Sequence, residues 1–310
     1  RVSSTARTAQ WISTSYNNQN SPSVFHSQGS ESPKATLNAN GQTMNVAGDW
    51  TNNGGTFTHA NNTVTFDGTG TQNMTSTSQS FYNLTVNKSA GTVNLQDALD
   101  VDNNLTISNG TLNASAQTIN LAGNFSNSAT FTHGNGTVTF DSASNGKIIT
   151  SGNSPFYNIV FNNASGSWVL QDTLNVAGNL TITSGVLFLN GQDLSLAVTT
   201  TFSNSGTLQL FGSETLTNFT NDTDSGTVEY TGYVVGASLA AGDDYYNLVI
   251  NSYSDRIITI TNPSGSTLIN FQVQVQLNSS NFDFSNSTNN GRDVRVYTLD
   301  NSSELSFYIE

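Results

Sequence analysis

The sequence predicts an all-β chain whose centre is a parallel β-helix, or β-solenoid, of about eleven to twelve coils. Three observations carry this: long internal repeats, a step of about 20 residues inside them, and strand-length segments that alternate apolar and polar residues. FYNLTVN at 81–87 returns as FYNIVFN at 156–162 and as YYNLVIN at 245–251. FTHANNTVTFD at 57–67 returns as FTHGNGTVTFD at 131–141, and LQDALDVDNNLTIS from Leu95 as LQDTLNVAGNLTIT from Leu170. Leu37, Leu112 and Leu187 therefore open three units of about 75 residues, 37–111, 112–186 and 187–255, the third stretched before its aromatic pair.

The shorter step is marked by glycines. Gly91, Gly110, Gly185, Gly206 and Gly226 each close a Ser-Gly or similar turn before TVNL, TLNA, VLFL, TLQL and TVEY. No window carries an apolar stripe of helical period. A step of about 20 residues suits one solenoid coil, with successive coils stacked at roughly 4.8 Å and like residues forming ladders. A β-propeller blade needs about 40 residues, which argues against that alternative.

Composition agrees with a thin core and a neutral surface. The chain has 310 residues, no Cys, 26 Gly, 4 Pro and 9% charged residues, against roughly 25% in an ordinary globular protein. Lys and Arg number 8 against 21 Asp and Glu, a net charge of -13, so phosphate neutralisation cannot drive association. Neither a nucleic-acid partner nor insertion into a membrane is expected, since no apolar run approaches the roughly 20 residues of a spanning helix. The first residue is Arg1, and the expectation is a processed product or a piece of something longer. Without Cys there is no disulfide, no thiolate chemistry and no Cys-ligated zinc.

The two ends differ from the middle. Residues 1–36 lack the repeat and hold Pro22 and Pro33. Arg1-Val2-Ser3 through Ala6-Arg7, then Trp11-Ile12, Tyr16-Asn17-Asn18 and Ser21-Pro22, resemble the closing segment of laminin-G or concanavalin-like β-sandwich modules. The resemblance implies a short helical turn carrying the Trp and an extended tail, which makes 1–36 a linker or a donor strand for a neighbouring subunit. Residues 256–310 read as antiparallel strands: RIITITN, a turn at 263–265, the alternating FQVQVQL, DVRVYTLD and LSFYIE. Ile258 to Asn262, Phe271 to Leu277, Asp293-Val294-Arg295-Val296 and Tyr308-Ile309-Glu310 resemble the start of an uncharacterised β-sandwich domain. That domain recurs beside laminin-G-like modules in large bacterial and archaeal surface proteins. The resemblance implies an antiparallel β-sandwich-like partial domain there. The central repeats look like those lying between such modules.

Candidate sites are few. Asp100, Asp102, Asp222 and Asp224 are the acids close enough in sequence to offer oxygen ligands to calcium, but they also suit turns, where carboxylates accept corner N–H groups. No other cofactor is expected. His59 and His133 occupy corresponding positions about four coils apart, too far to share an ion. A lyase would need a basic residue, and between 37 and 255 the only ones are Lys88 and Lys147. Asn-x-Ser/Thr sequons at Asn61, Asn73, Asn83, Asn104, Asn124, Asn179 and Asn218 permit glycosylation. In the pairs 81–82, 156–157 and 245–246 one ring must point inward and the other outward. Tyr82, Tyr157 and Tyr246 are thus candidates for glycan or subunit contact. The expected role is a non-catalytic, extracellular structural rod or filament subunit at a cell surface, joined head to tail with copies of itself or adjacent modules. A carbohydrate-binding adhesin is the alternative, and a β-helix polysaccharide-degrading enzyme the second.

Overall fold

The structure is a computed structural model that describes residues 6–11, 13, 34–231 and 240–251. The expected sandwich at 256–310 and most of the 1–36 tail lie outside the described residues. Of the tail, residues 9–11 are helical. There the Trp11 N–H donates to Thr8 Oγ1 at 3.2 Å and the Arg7 guanidinium lies 4.8 Å from the Trp11 ring centre.

From Thr36 to Ile250 the described chain is built of short strands that pair in parallel along three faces, A, B and C. Face A holds eleven consecutive rungs: Met44–Val46, Thr63–Phe66, 83–86, 105–107, Phe125–Asn127, Lys147–Thr150, 168–170, 186–188, Thr207–Leu210, Thr227–Tyr230 and Asn247–Ile250. Eleven rungs enclose ten full turns, a rod of roughly 50 Å at the usual strand spacing. That is one or two turns fewer than expected, because some turns run longer than 20 residues. Phe125 to Ile149 takes 24 residues and Leu180 to Phe202 takes 22.

Alternation explains why each rung sits as it does. On face A, Val64, Leu84, Leu105, Phe125, Ile149 and Leu170 point inward and are fully buried. The intervening Thr65, Thr85, Thr106, Ser126 and Thr150 form an outward row in register. Each inward Leu or Phe contributes about 1.5–3 kcal/mol by leaving water. A one-residue slip of any rung would turn its apolar set outward, so the register is tightly specified.

The 75-residue unit and the coil do not share a period. Met44–Val46 lies on face A, but its counterpart Ile119–Leu121 pairs with Leu99–Val101 on face C. Trp50–Thr51 lies on face B, and its counterpart Phe125–Asn127 on face A. Eleven strand positions, four turns less one face, separate the copies, so the second unit is turned by one face against the first. Corresponding residues therefore do not stack into common ladders. Their local packing is nevertheless retained. Trp50, Phe57 and Phe81 form an inward cluster with ring centres 5.0–5.7 Å apart, and Phe125, Phe131 and Phe156 form its copy at 5.2–5.6 Å.

Three of the marker glycines are corners rather than strand ends. Gly91, Gly110 and Gly185 lie inside the long strands Asn83–Leu95, Leu105–Asn113 and Leu180–Phe188, which bend from one face to the next without interruption. Gly91 has φ +84 and Gly110 φ +82, and a Cβ on Gly91 would lie 2.5 Å from the Gly70 carbonyl oxygen. Stacked corners bring backbone against backbone there, which leaves no room for a side chain.

Two outcomes follow for stability. Phe140→Ala is expected to cost about 3–5 kcal/mol in chemical denaturation, because the ring is fully buried with Phe161 stacked on it at 5.3 Å. Gly91→Ala should destabilise by more than the roughly 1 kcal/mol of an ordinary glycine substitution, and an unchanged midpoint would contradict the corner geometry.

Candidate functional site

The corners carry most of the polar organisation. At the entrance to face A, Asn83 Oδ1 accepts the Asn104 N–H at 3.2 Å and Asn104 Oδ1 accepts the Asn124 N–H at 3.0 Å. Asn124 Oδ1 in turn accepts the Ile148 N–H at 2.8 Å. The second unit repeats this at the entrance to face C, where Asn158 Oδ1 accepts from Asn179 N–H at 2.9 Å and Asn179 Oδ1 from Thr201 N–H at 3.3 Å. Each amide caps a backbone donor of the next turn that would otherwise be left unpaired.

These ladders account for four of the seven sequons singled out in the sequence. In Asn83, Asn104, Asn124 and Asn179 the Asn turns the corner, the next residue is a fully buried Leu or Phe, and the Thr or Ser after it faces outward. Corner, core and surface thus spell Asn-x-Ser/Thr. Asn61 and Asn218 sit in left-handed backbone, φ 62 and 53, and Asn218 Nδ2 donates to the Leu196 carbonyl at 2.8 Å. Asn73 Oδ1 accepts from Gln96 Nε2 at 3.2 Å.

Carboxylates cap other corners, but mostly not those expected. Asp97 accepts the Ser76 and Thr77 N–H groups at 2.9 and 2.6 Å, and its counterpart Asp172 accepts those of Ser151 and Gly152 at 2.8 and 2.6 Å. Glu214, nearly buried, accepts from Gly191, Phe211 and Gly212 N–H. The signal for Asp97 and Asp172 was present in the repeated Leu-Gln-Asp, but the donors lie a full turn back in the chain. Asp222 does act as a turn acid, with Oδ2 accepting the Asn204 N–H at 2.7 Å and Oδ1 the Asp224 N–H at 3.1 Å. Burial opposes its ionisation, yet these hydrogen bonds bring its pKa below the ordinary carboxylate value, while Asp224 is pushed up by its hydrogen bond and charge contact with Asp222.

Asp100 and Asp102 are not paired with each other as ligands. Asp102 Oδ2 binds His59 Nε2 at 2.8 Å and Ser80 Oγ at 3.0 Å. Asp100 faces outward on face C, next to Asn120 in the following turn. Burial raises its pKa, and the charges of Asp102 and Asp141 raise it further. Asp141 is also raised, by burial first and by Asp102, with a backbone N–H partly offsetting this. Among the described residues no group of three or more His, Cys, Asp or Glu side chains is arranged to hold a metal ion. The four acids named as calcium candidates thus fall into two separate places, each already engaged by protein groups.

The aromatic pairs divide between the two sides as alternation requires. Phe81 and Phe156 are buried at 1% and 0% exposure, whereas Tyr82 and Tyr157 are outward and half-buried. Each outward ring stacks on the corner histidine of its own unit, Tyr82 on His59 with centres 5.7 Å apart and Tyr157 on His133 at 5.5 Å. Both histidines accept a backbone N–H on Nδ1, from Asn61 at 3.2 Å and Asn135 at 2.9 Å. In the second unit Ala177 and Pro155 stand where Asp102 and Ser80 stand in the first. The surface there is a shallow apolar depression of about 210 Å³ lined by Pro155, Val176, Ala177, Leu196 and Ala197 among others. The third pair differs: Tyr245 turns its hydroxyl to Tyr230 at 3.1 Å, and burial with this bond raises its pKa. Tyr246 is 60% exposed.

The last described rung, Asn247–Ile250, presents three exposed apolar side chains in a row, Leu248, Val249 and Ile250. Leu248 and Ile250 continue the inward rows of Val228 and Tyr230, and they are 43% and 74% exposed. Comparison with protein-family models, curated proteins and solved structures finds no match.

Two measurements probe these corners. Asn104→Ala removes the acceptor of the Asn124 N–H and is expected to cost about 1–2 kcal/mol in denaturant unfolding. Asp100→Asn, which copies Asn175 of the second unit, should act through pH. A carboxyl whose pKa is raised by folding keeps its proton to higher pH in the folded state, so its contribution is favourable below the ordinary value and is lost as pH rises through the raised one. The variant should therefore gain stability relative to the parent at pH 7 but not at pH 3, by less than about 1 kcal/mol after solvent screening. An equal gain at both values would show that the charge is not responsible.

Proposed function

We propose that this chain is a non-catalytic structural rod of an extracellular cell-surface filament or fibre, joined end to end to copies of itself or to adjacent modules. The observation that carries this reading is a one-dimensional parallel stack in whose last described rung, Asn247–Ile250, Leu248 and Ile250 are 43% and 74% exposed. A solenoid adds turns by the same ladder hydrogen bonds that hold its existing ones, so a rung with exposed apolar side chains is a surface on which further strands can pair. Sparse charge along the faces supports the same role, since like charges stacked every turn would repel. A scaffold does not need a deep cleft, and the depression beside Pro155 is shallow and apolar. The resemblance of the two ends to parts of β-sandwich modules in large surface proteins adds strand complementation as the joining chemistry, with 1–36 as the donor.

A glycan-binding adhesin is the second reading, favoured by exposed Tyr246 and by the outward Tyr82 and Tyr157. Electron microscopy and light scattering of the full chain distinguish the two. The structural reading expects concentration-dependent fibres that are lost in Leu248→Asp/Ile250→Asp and in a form lacking 1–36. A chain that stays monomeric at all concentrations and binds a glycan array through Tyr246 would replace it with the adhesin.

A further inference from the structure

Lys88 is the one basic side chain buried among the described residues, at 1% exposure. It sits at the corner after face A, inside the bent strand Asn83–Leu95. Its Nζ donates to the Gly68 carbonyl at 2.5 Å and to Gln72 Oε1 in the preceding turn. Gln72 is equally buried at 1%, so amine and carboxamide meet out of water. The carboxamide is held from every side. Its Oε1 also accepts the Gly68 N–H at 3.2 Å, and its Nε2 donates to the carbonyls of Val46, at 2.8 Å, and Gly48.

Capping the corner does not require a lysine. In the second unit the position of Lys88 is Asn163, whose Nδ2 donates to the Asp141 carbonyl at 2.9 Å, and the position of Gln72 is Lys147. The buried amine facing a carboxamide is thus particular to the first unit and exceeds what packing asks. Among the described residues no carboxylate lies within ion-pair distance of this ammonium. Burial lowers its pKa, and the charge of Asp67 offsets that only in part. An ammonium in such a place is costly, and the neutral amine is a nucleophile.

We infer that Lys88 and Gln72 form an intramolecular isopeptide cross-link, a modification that fixes two successive turns of the rod to each other. The Nζ lone pair attacks Gln72 Cδ, and the developing oxyanion on Oε1 is met by the Gly68 N–H. The new Nζ–Cδ bond replaces the Cδ–Nε2 bond, one proton passes from Nζ to Nε2, and ammonia leaves. No oxidant, metal or second substrate is consumed. Contact between the two groups supplies the proximity that such a step needs. The product closes a covalent ring from residue 72 to residue 88 and leaves the Gly68 carbonyl free to accept the remaining amide N–H. This inference does not rest on the filament reading.

Intact-mass spectrometry of the denatured full chain tests it, before and after incubation at pH 9. The expected mass is below that of the sequence by one ammonia, with a proteolytic product joining the peptides that contain residues 72 and 88. Lys88→Met should restore the sequence mass. The Asn-Gly steps of this chain can also lose ammonia by succinimide formation, but alkali hydrolyses the succinimide to aspartate or isoaspartate with uptake of one water, and the change maps to a single peptide. An unmodified mass after incubation, or a loss that maps to an Asn-Gly step, overturns the assignment. The parent chain alone gives this reading, so a poorly folding variant does not obscure it.

Discussion

Everything in this rod depends on parallel strands stacking in register, turn upon turn, along one axis. Each rung receives backbone hydrogen bonds from the turn below and gives them to the turn above, so no rung is satisfied alone. The same stacking places Val64 beneath Leu84 and Leu84 beneath Leu105, with Phe66, Val86 and Ile107 in a second column beside them, and the core is therefore built of side-by-side columns of stacked residues. Stability in such an array is a sum of neighbouring interfaces rather than of one central core.

Register also explains why the corners are so polar and so repetitive. A turn of backbone between two flat faces exposes N–H groups that the strand ladder cannot reach. The protein fills those places with short side chains reaching one turn along the axis. Asn83, Asn104 and Asn124 do this on one face, Asp97 and Asp172 on corners of two successive units, and Glu214 near the end of the rod. These acids and amides are spent on the scaffold, which is why so few of them gather into anything resembling a chemical site. The corner of Lys88 and Gln72 is the exception, where a long amine replaces an amide that would have served.

Much of this was legible in the residues. Alternation at Val93/Leu95 and Leu105/Ile107 marks the inward positions, and the aromatic pair splits as alternation demands, with Phe81 in and Tyr82 out. The partners of the corner acids were not legible, because Asp97 reaches Ser76 and Thr77 across 21 and 20 residues, a separation fixed by coil length and not by any local motif. The structural part the sequon asparagines play was hidden for the same reason. Nothing local in the sequence shows that Asn104 Oδ1 accepts the Asn124 N–H one turn further on.

By itself, the sequence determined that the chain is a repeating, parallel-stacked β structure, because periodic apolar positions must all be buried and a step of about 20 residues can be buried only by stacking. Tertiary structure alone decided which copies lie above one another. A 75-residue unit holds eleven strand positions and a turn holds three, so each copy begins one face further round. Phe57 and Phe131 hold corresponding places in the sequence and in two copies of an aromatic cluster, yet they belong to different sides of the rod. Coil length is set by how many residues the triangular cross-section needs to close, and that is a property of the packed core rather than of any single repeat.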